Sequence, residues 1–226
     1  MRTVVQLLLI GLVLESVFAV SKWYAVLGLL LLMTTIAGVS AVRRTNRRFR
    51  GMYVDSIVAV WSSSWIVAGY ALLAVLREVE PWYQPQYAIP LTGMILGNSL
   101  NGISLGLSRL GDQLVLDRDR IEAALALGAT RWEAARSSVR SAVQTGMTPV
   151  INSMMVVGIV NLPGMMTGQL LSGVSPLQAV RYQIVIMFLI AAATALGTVC
   201  VVLLGYRRLF TADHQFAHER ISREVQ

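Results

Sequence analysis

Few residues of this sequence could carry chemistry, and their spacing limits what that chemistry is. His214 and His218 stand four apart, a spacing that can put two imidazoles on one helix face for a metal ion. Both fall in a polar C-terminal tail, where solvated side chains are the simpler reading. Cys200, the single cysteine, lies inside an apolar run without Cys or His neighbours, so it makes neither an internal disulfide nor a metal site. Two methionine doublets, Met154-Met155 and Met165-Met166, would suit a soft ion such as copper(I), although filling gaps in a helical bundle accounts for them more simply. Glu15 is the carboxylate set well inside an apolar stretch, where a charge is costly enough to mark a functional group or one that snorkels to an interface. The only lysine, Lys22, follows Ser21, so no glycine-rich phosphate loop is present, and HExxH and CxxC do not occur. No catalytic constellation emerges. Any active movement of a solute would draw its energy from a partner or an ion gradient.

The elements that position these residues are membrane helices. Of 226 residues, 55% are hydrophobic and only 14% charged, against about 25% charged in soluble domains. Five stretches lack any Asp, Glu, Lys or Arg: 23–42, 57–76, 87–108, 141–180 and 182–204, together more than half the chain. About 20 helical residues cross a bilayer core. Soluble helices would show a polar face, and a membrane β-barrel would show alternation. The sequence therefore predicts an all-α polytopic bundle of about six spans: Val4–Val20, Trp23–Val42, Val54–Leu76, Tyr87–Leu107, a helix within Pro149–Leu171, and Tyr182–Tyr206. Gln6, Glu15 and Ser16 interrupt the first span and are expected to face the bundle. No small-x-small site follows it, which argues against a cleaved signal peptide. The pairs Gly93–Gly97 and Gly102–Gly106 suit close helix packing.

The net charge of +7 is distributed by topology and does not indicate a nucleic-acid surface. With the N-terminus inside, sixteen Arg residues fall on cytoplasmic segments, while Lys22, Arg77 and Arg181 fall outside. Both termini are thus expected in the cytoplasm and the turn Arg77–Gln86 outside. Residues 1–206 form the transmembrane part and 207–226 a cytoplasmic tail. The longest cytoplasmic connection, 109–140, carries the punctuation of two helices. Asp119 with Glu122 reads as a capping box opening a helix Arg120–Leu127, Gly128 as its left-handed stop, and Thr130 with Glu133 as a second capping box. A two-turn, alanine-rich helix is too short to stand alone and suits another protein's groove.

Glu122-Ala123-Ala124-Leu125-Ala126-Leu127-Gly128 matches the Glu-Ala-Ala-x3-Gly coupling motif of permease subunits of ABC transporters. More specific are Val157-Gly158-Ile159-Val160-Asn161-Leu162-Pro163-Gly164-Met165-Met166-Thr167-Gly168, then Gly173-Val174-Ser175-Pro176 and Ala179-Val180-Arg181-Tyr182-Gln183-Ile184, with Ile89-Pro90-Leu91-Thr92-Gly93-Met94-Ile95-Leu96-Gly97-Asn98 upstream. Over essentially its whole length the chain resembles the FetB/YbbM permease family, bacterial membrane subunits associated with iron export and similar to plant aluminium-tolerance permeases. Members usually carry one further apolar helix ahead of the segment that begins here at Arg2, so the resemblance implies that a leading span is absent. It also implies a cytoplasmic ABC ATPase partner that binds ATP and magnesium, no cofactor on this chain, a permease homodimer, and the bacterial cytoplasmic (inner) membrane. Glu122, Ala123, Ala124 and Gly128 would couple to the ATPase.

The residues themselves leave the substrate open. Iron(II) prefers carboxylate and imidazole ligands, and the spans hold no histidine. Polar candidates for a pathway are Glu15, Asn98, Asn161, Thr167 and Gln169, with Gln6, Asn101 and Asn152 behind them. Pro163 and Gly164 break any continuous helix, which places a gate at Leu162-Pro163-Gly164-Met165-Met166 or a plain helix end before the turn Ser172–Pro176. A permease for a non-metal solute stays open. A secondary transporter would want buried ionisable groups and an inverted repeat, neither of which is visible. An integral membrane enzyme lacks a site, and a passive scaffold leaves 109–140 unexplained.

Overall fold

In the computed structural model, residues 2–20, 22–75, 84–211 and 215–223 are described. The protein is an all-α membrane protein, with eight α-helices among the described residues: α1 (Arg2–Val20), α2 (Trp23–Arg43), α3 (Met52–Tyr70), α4 (Pro85–Leu116), α5 (Arg118–Ala126), α6 (Arg131–Val156), α7 (Gly164–Leu171) and α8 (Pro176–Leu209). A π-helical turn, Ala71–Val75, extends α3. A small antiparallel ribbon joins β1 (Arg47–Phe49) to β2 (Ile221–Arg223), with Arg48 opposite Ser222.

Three helical stretches among the described residues are long and apolar enough to cross a membrane by themselves: Trp23–Arg43, Met52–Leu73 and Pro176–Leu209. Helices α4 and α6 also have the length, about 48 and 39 Å at 1.5 Å per residue, but each carries charges at one end. Helix α4 is the centre of the bundle, packed on α2, α3, α6 and α8. Two apolar clusters stack along it. One gathers Val42, Ile103, Leu107, Leu110, Ile121, Ala135 and Leu209; the other gathers Val26, Ile89, Ile95, Val150, Ile186 and Ala193.

Close packing of three helices rests on Gly102 and Gly146. A Cβ at Gly146 would lie 2.6 Å from the Gly102 carbonyl and meet the Thr198 methyl group. The spacing Gly102–Gly106 is thus used for packing, whereas a Cβ at Gly97 would meet nothing and at Gly93 only Met33.

The arginine-rich segments assemble at one end of the bundle. Arg47 pairs with Asp112 at 2.8 Å, Arg44 donates to Asn101 Oδ1 at 2.8 Å, and Arg131 donates to the Thr211 carbonyl at 3.2 Å. Asp55, 3% exposed in the first turn of α3, holds Arg208 at the end of α8. Gly51 precedes α3 at φ 88°, a backbone conformation that calls for glycine, and a Cβ there would displace the Arg208 guanidinium.

Four expectations need correction. The fifth span is not a helix within Pro149–Leu171: α6 starts at Arg131, runs through Pro149 and ends at Val156. Pro149 removes one amide hydrogen from an otherwise bonded helix, and neighbouring packing by Gly146 and Val150 carries it through. The fourth span continues past Leu107 to Leu116, because no breaker intervenes before Asp117. Gln6, Glu15 and Ser16 are exposed and do not face this chain's bundle, since α1 touches it mainly through Leu14, Val17 and Phe18. The tail is not simply solvated: Phe216 is buried and stacks on Phe210 at 5.1 Å, and the Ala217 amide donates to the Leu209 carbonyl. The turn Arg77–Gln86 lies mostly outside the described residues, as does His214.

Candidate coupling and translocation site

At the arginine-rich end, α5 lies against α6 and is pinned by Ile121, which is fully buried. Its start differs from the capping box read at Asp119 and Glu122. The helix opens one residue after Asp117, and Glu122 turns back to Arg118 at 2.7 Å as an i,i+4 pair. Asp117 takes the opening because its carboxylate has better partners. Its Oδ2 accepts from Gln113 Nε2 at 3.0 Å, Arg120 at 2.9 Å and Ser138 Oγ at 2.9 Å. Burial pushes this carboxyl up, but the three hydrogen bonds and the Arg120 charge outweigh burial and hold it below the usual carboxylate range. Arg120 also reaches Ser137 Oγ at 2.6 Å. Asp117 and Ser138 were not singled out by the sequence, because their pairing spans 21 positions.

The far end of α5 follows the sequence closely. Gly128 has φ +91°, its amide donates to the Leu125 carbonyl, and the Ala129 amide donates to the Ala124 carbonyl, which completes a Schellman motif. Thr130 and Glu133 then form a reciprocal capping box for α6. The backbone and side chain of Thr130 hold the Glu133 carboxyl below its ordinary range. Glu122 and Ala123 are exposed, Ala124 is half-buried against the core, and Leu127 stands 89% exposed beyond the helix. His218 of the tail brings Nδ1 to 4.0 Å from Glu122 Oε1, a contact that the sequence did not suggest.

The other end of α6 meets the broken segment. Pro163 is the N-cap of α7, so no helix runs through it, but the break begins six residues earlier at Val157. Gly158 sits at φ +81° and its amide donates to the Asn161 carbonyl at 2.9 Å, while Thr167 Oγ1 donates to the Pro163 carbonyl at 3.1 Å. Asn161 and Gly164 are exposed; Met165, Met166, Thr167 and Gln169 are partly buried, and Met165 packs on the second core cluster. Gln169 Oε1 is buried without a hydrogen-bond partner. Such an orphaned acceptor in an apolar setting is costly.

Four candidates stand apart from that segment. Asn98 is exposed and donates to the Met94 carbonyl of its own helix, and Glu15 is exposed on α1. Met154 is partly buried and Met155 is 70% exposed on α6, across the break from the second doublet. No group of three or more His, Cys, Asp or Glu side chains that could hold a metal ion occurs among the described residues. Helix α6 is the physical link between the two regions: α5 is locked to its first turns and the broken segment follows its last.

The sequence matches the uncharacterised protein family UPF0014 over residues 1–210. It is 43% identical to the UPF0014 membrane protein slr1647 of Synechocystis, with 95% of this chain and 82% of the relative covered. It is 33% identical to the protein ALUMINUM SENSITIVE 3 of Arabidopsis thaliana (95% and 77% covered) and 28% identical to the probable iron export permease protein FetB of Escherichia coli (99% and 84%). No solved structure matches the chain. These matches agree with the resemblance carried by the Asn161-Leu162-Pro163-Gly164 region, and the chain belongs to the UPF0014 family of membrane proteins.

Proposed function

We propose that this chain is the membrane-spanning subunit of an ABC transporter that exports metal ions across the bacterial cytoplasmic membrane. It works as a homodimer with a separate ATPase, and that ATPase binds the ATP and magnesium. The observation that carries the reading is the build of α5: one fully buried anchor, Ile121, with Ala123, Ala126 and Leu127 left exposed on a charged end of the bundle. A short helix held this way offers an apolar contact to a cytoplasmic partner without depending on it to fold. The lock between Asp117, Arg120 and α6 would carry motion of α5 into the bundle as a rigid unit.

Metal as the substrate rests on the relative named a probable iron export permease. A passing ion would meet amide, hydroxyl and thioether groups at Asn161, Thr167, Gln169, Met165 and Met166. The exposure of Met155, Ile159 and Val160, at 70%, 85% and 81%, supports a second copy across this face. Reconstitution with the ATPase in vesicles and a panel of metal salts tests the substrate. ATP-dependent movement of a transition metal is expected. Movement of a non-metal solute alone, or movement driven by an ion gradient without the ATPase, would overturn this reading.

A further inference from the structure

At the end of the bundle opposite the arginine-rich one, α2, α3 and α4 leave a cavity of about 180 Å³. Trp23, Leu30, Trp65, Leu72, Leu73 and Ala88 line it. Trp23 and Leu73 are 56% and 66% exposed and face outward from the bundle. An engineered apolar cavity of about 150 Å³ stays dry and takes up small apolar molecules. Ser64 and Thr92 also border the space, and their hydroxyl oxygens are buried without a hydrogen-bond partner among the described residues, but the surface facing the cavity is carbon. In a membrane helix bundle the molecules at hand are lipid chains, and this space suits hydrocarbon.

What stands above the cavity gives the occupant a head. Lys22 is the N-cap of α2 and the residue before Trp23, at the turn from the apolar helix α1 into the apolar helix α2. Such a turn sits at headgroup level, because its backbone groups need solvent. The Lys22 ammonium lies 5.6 Å from the centre of the Tyr24 ring, and Trp23 and Tyr24 meet edge to face. Aromatic rings beside a cation are typical of a membrane interface. Among the described residues no side chain caps the first turn of α2, although the Ala25 amide donates to the Lys22 carbonyl, and the helix start adds a positive end at the same level. Cation and cavity are therefore consecutive along one helix, in the order of a phosphate and its acyl chain.

We propose that this cavity is a phospholipid site, with one acyl chain between Trp23 and Trp65 and the phosphate at Lys22. The site is separate from the coupling helix and the broken segment. The probes are a phosphatidylglycerol with a diazirine in one acyl chain and the matching diacylglycerol without a phosphate, each incorporated into nanodiscs with the intact protein. After irradiation, peptide mapping should place label on residues 23–30 and 65–73 at least five-fold above the background at the outward-facing Leu32 and Phe188, with the diacylglycerol several-fold weaker. Gly69 lines the cavity and a Cβ there meets nothing within 4 Å, so Gly69→Leu is the substitution chosen to fill the space, with an unchanged melting temperature as the check on its fold. It should abolish the enrichment, and Lys22→Gln should remove the preference for the phosphate-bearing probe. Labelling spread evenly over the outer surface, or enrichment unchanged in Gly69→Leu, would overturn the site. Equal labelling by both probes would overturn the role of Lys22.

Discussion

Ser138, about two turns into α6, donates a 2.9 Å hydrogen bond to Asp117, the residue on which α5 begins. Arg120 and Gln113 bond the same carboxylate oxygen, so the end of α4, the start of α5 and the first turns of α6 share one acceptor. Hydrogen bonds to a charged acceptor contribute about 1.5–3 kcal/mol each when buried. Asp117 retains some exposure, which places it toward the lower end.

Asp117→Ala should therefore loosen the junction without unfolding the bundle. Amides of residues 118–128 should exchange hydrogen at least ten-fold faster, with residues 100–110 unchanged. Because the folded carboxyl lies below its unfolded value, its stabilisation is complete above about pH 4 and is lost as the pH falls through the lowered value. Local protection in the wild-type protein should accordingly persist at pH 5 and fall only in strong acid.

Helix packing supplies a second prediction. Gly146→Leu forces a side chain against the Gly102 backbone and Thr198, whereas Gly97→Leu points into open space. Overpacking costs about 1–3 kcal/mol or more, so the first variant should lose thermal stability by several degrees in detergent and the second should not. Equal effects of the two would contradict the packing assigned to Gly102.

These glycines also show what the sequence could reveal. Gly93–Gly97 and Gly102–Gly106 have the same spacing, and only the second pair is closely packed by other helices, Gly102 against Gly146 and Thr198 and Gly106 against Thr198 and Val202. The Thr130–Glu133 box was legible because both partners are local. Asp119–Glu122 has the same spacing, yet Asp117 opens α5, because Ser138 lies too far along the chain for any local pattern to show it. Pro163 announced a break; that the break starts at Val157 depends on Gly158 at φ +81° and its bond to the Asn161 carbonyl. The six-span expectation came from charge-free runs, and the run 141–180 concealed a long helix, a break and a short helix within one apolar composition.

Topology is open to direct measurement. Single cysteines at Ser137 and Gln84, in a Cys200→Ala background, should label with an impermeant thiol reagent from opposite sides of the membrane, Ser137 from the cytoplasm. Labelling from the same side would refute the orientation drawn from the arginine bias.

The broken segment should be sensitive at Gly158 more than at Gly164. No atom crowds Gly158, but a β-branched residue at positive φ carries a backbone penalty of about 1–2 kcal/mol. Gly158→Val should reduce transport at least ten-fold while insertion and ATPase binding survive, and Gly164→Ala should keep most activity. Normal transport by Gly158→Val would remove the broken segment from the pathway.

The central claim is that α5 couples this chain to an ATPase, and its most direct measurement is association of the two purified subunits with Leu127→Asp and Glu122→Arg. Leu127 is almost wholly exposed and Glu122 pairs only at the surface, so both variants should fold and insert. The account predicts a loss of affinity of at least ten-fold, about 1.4 kcal/mol, together with loss of permease-stimulated ATP hydrolysis. Undiminished association and hydrolysis in both variants would contradict it.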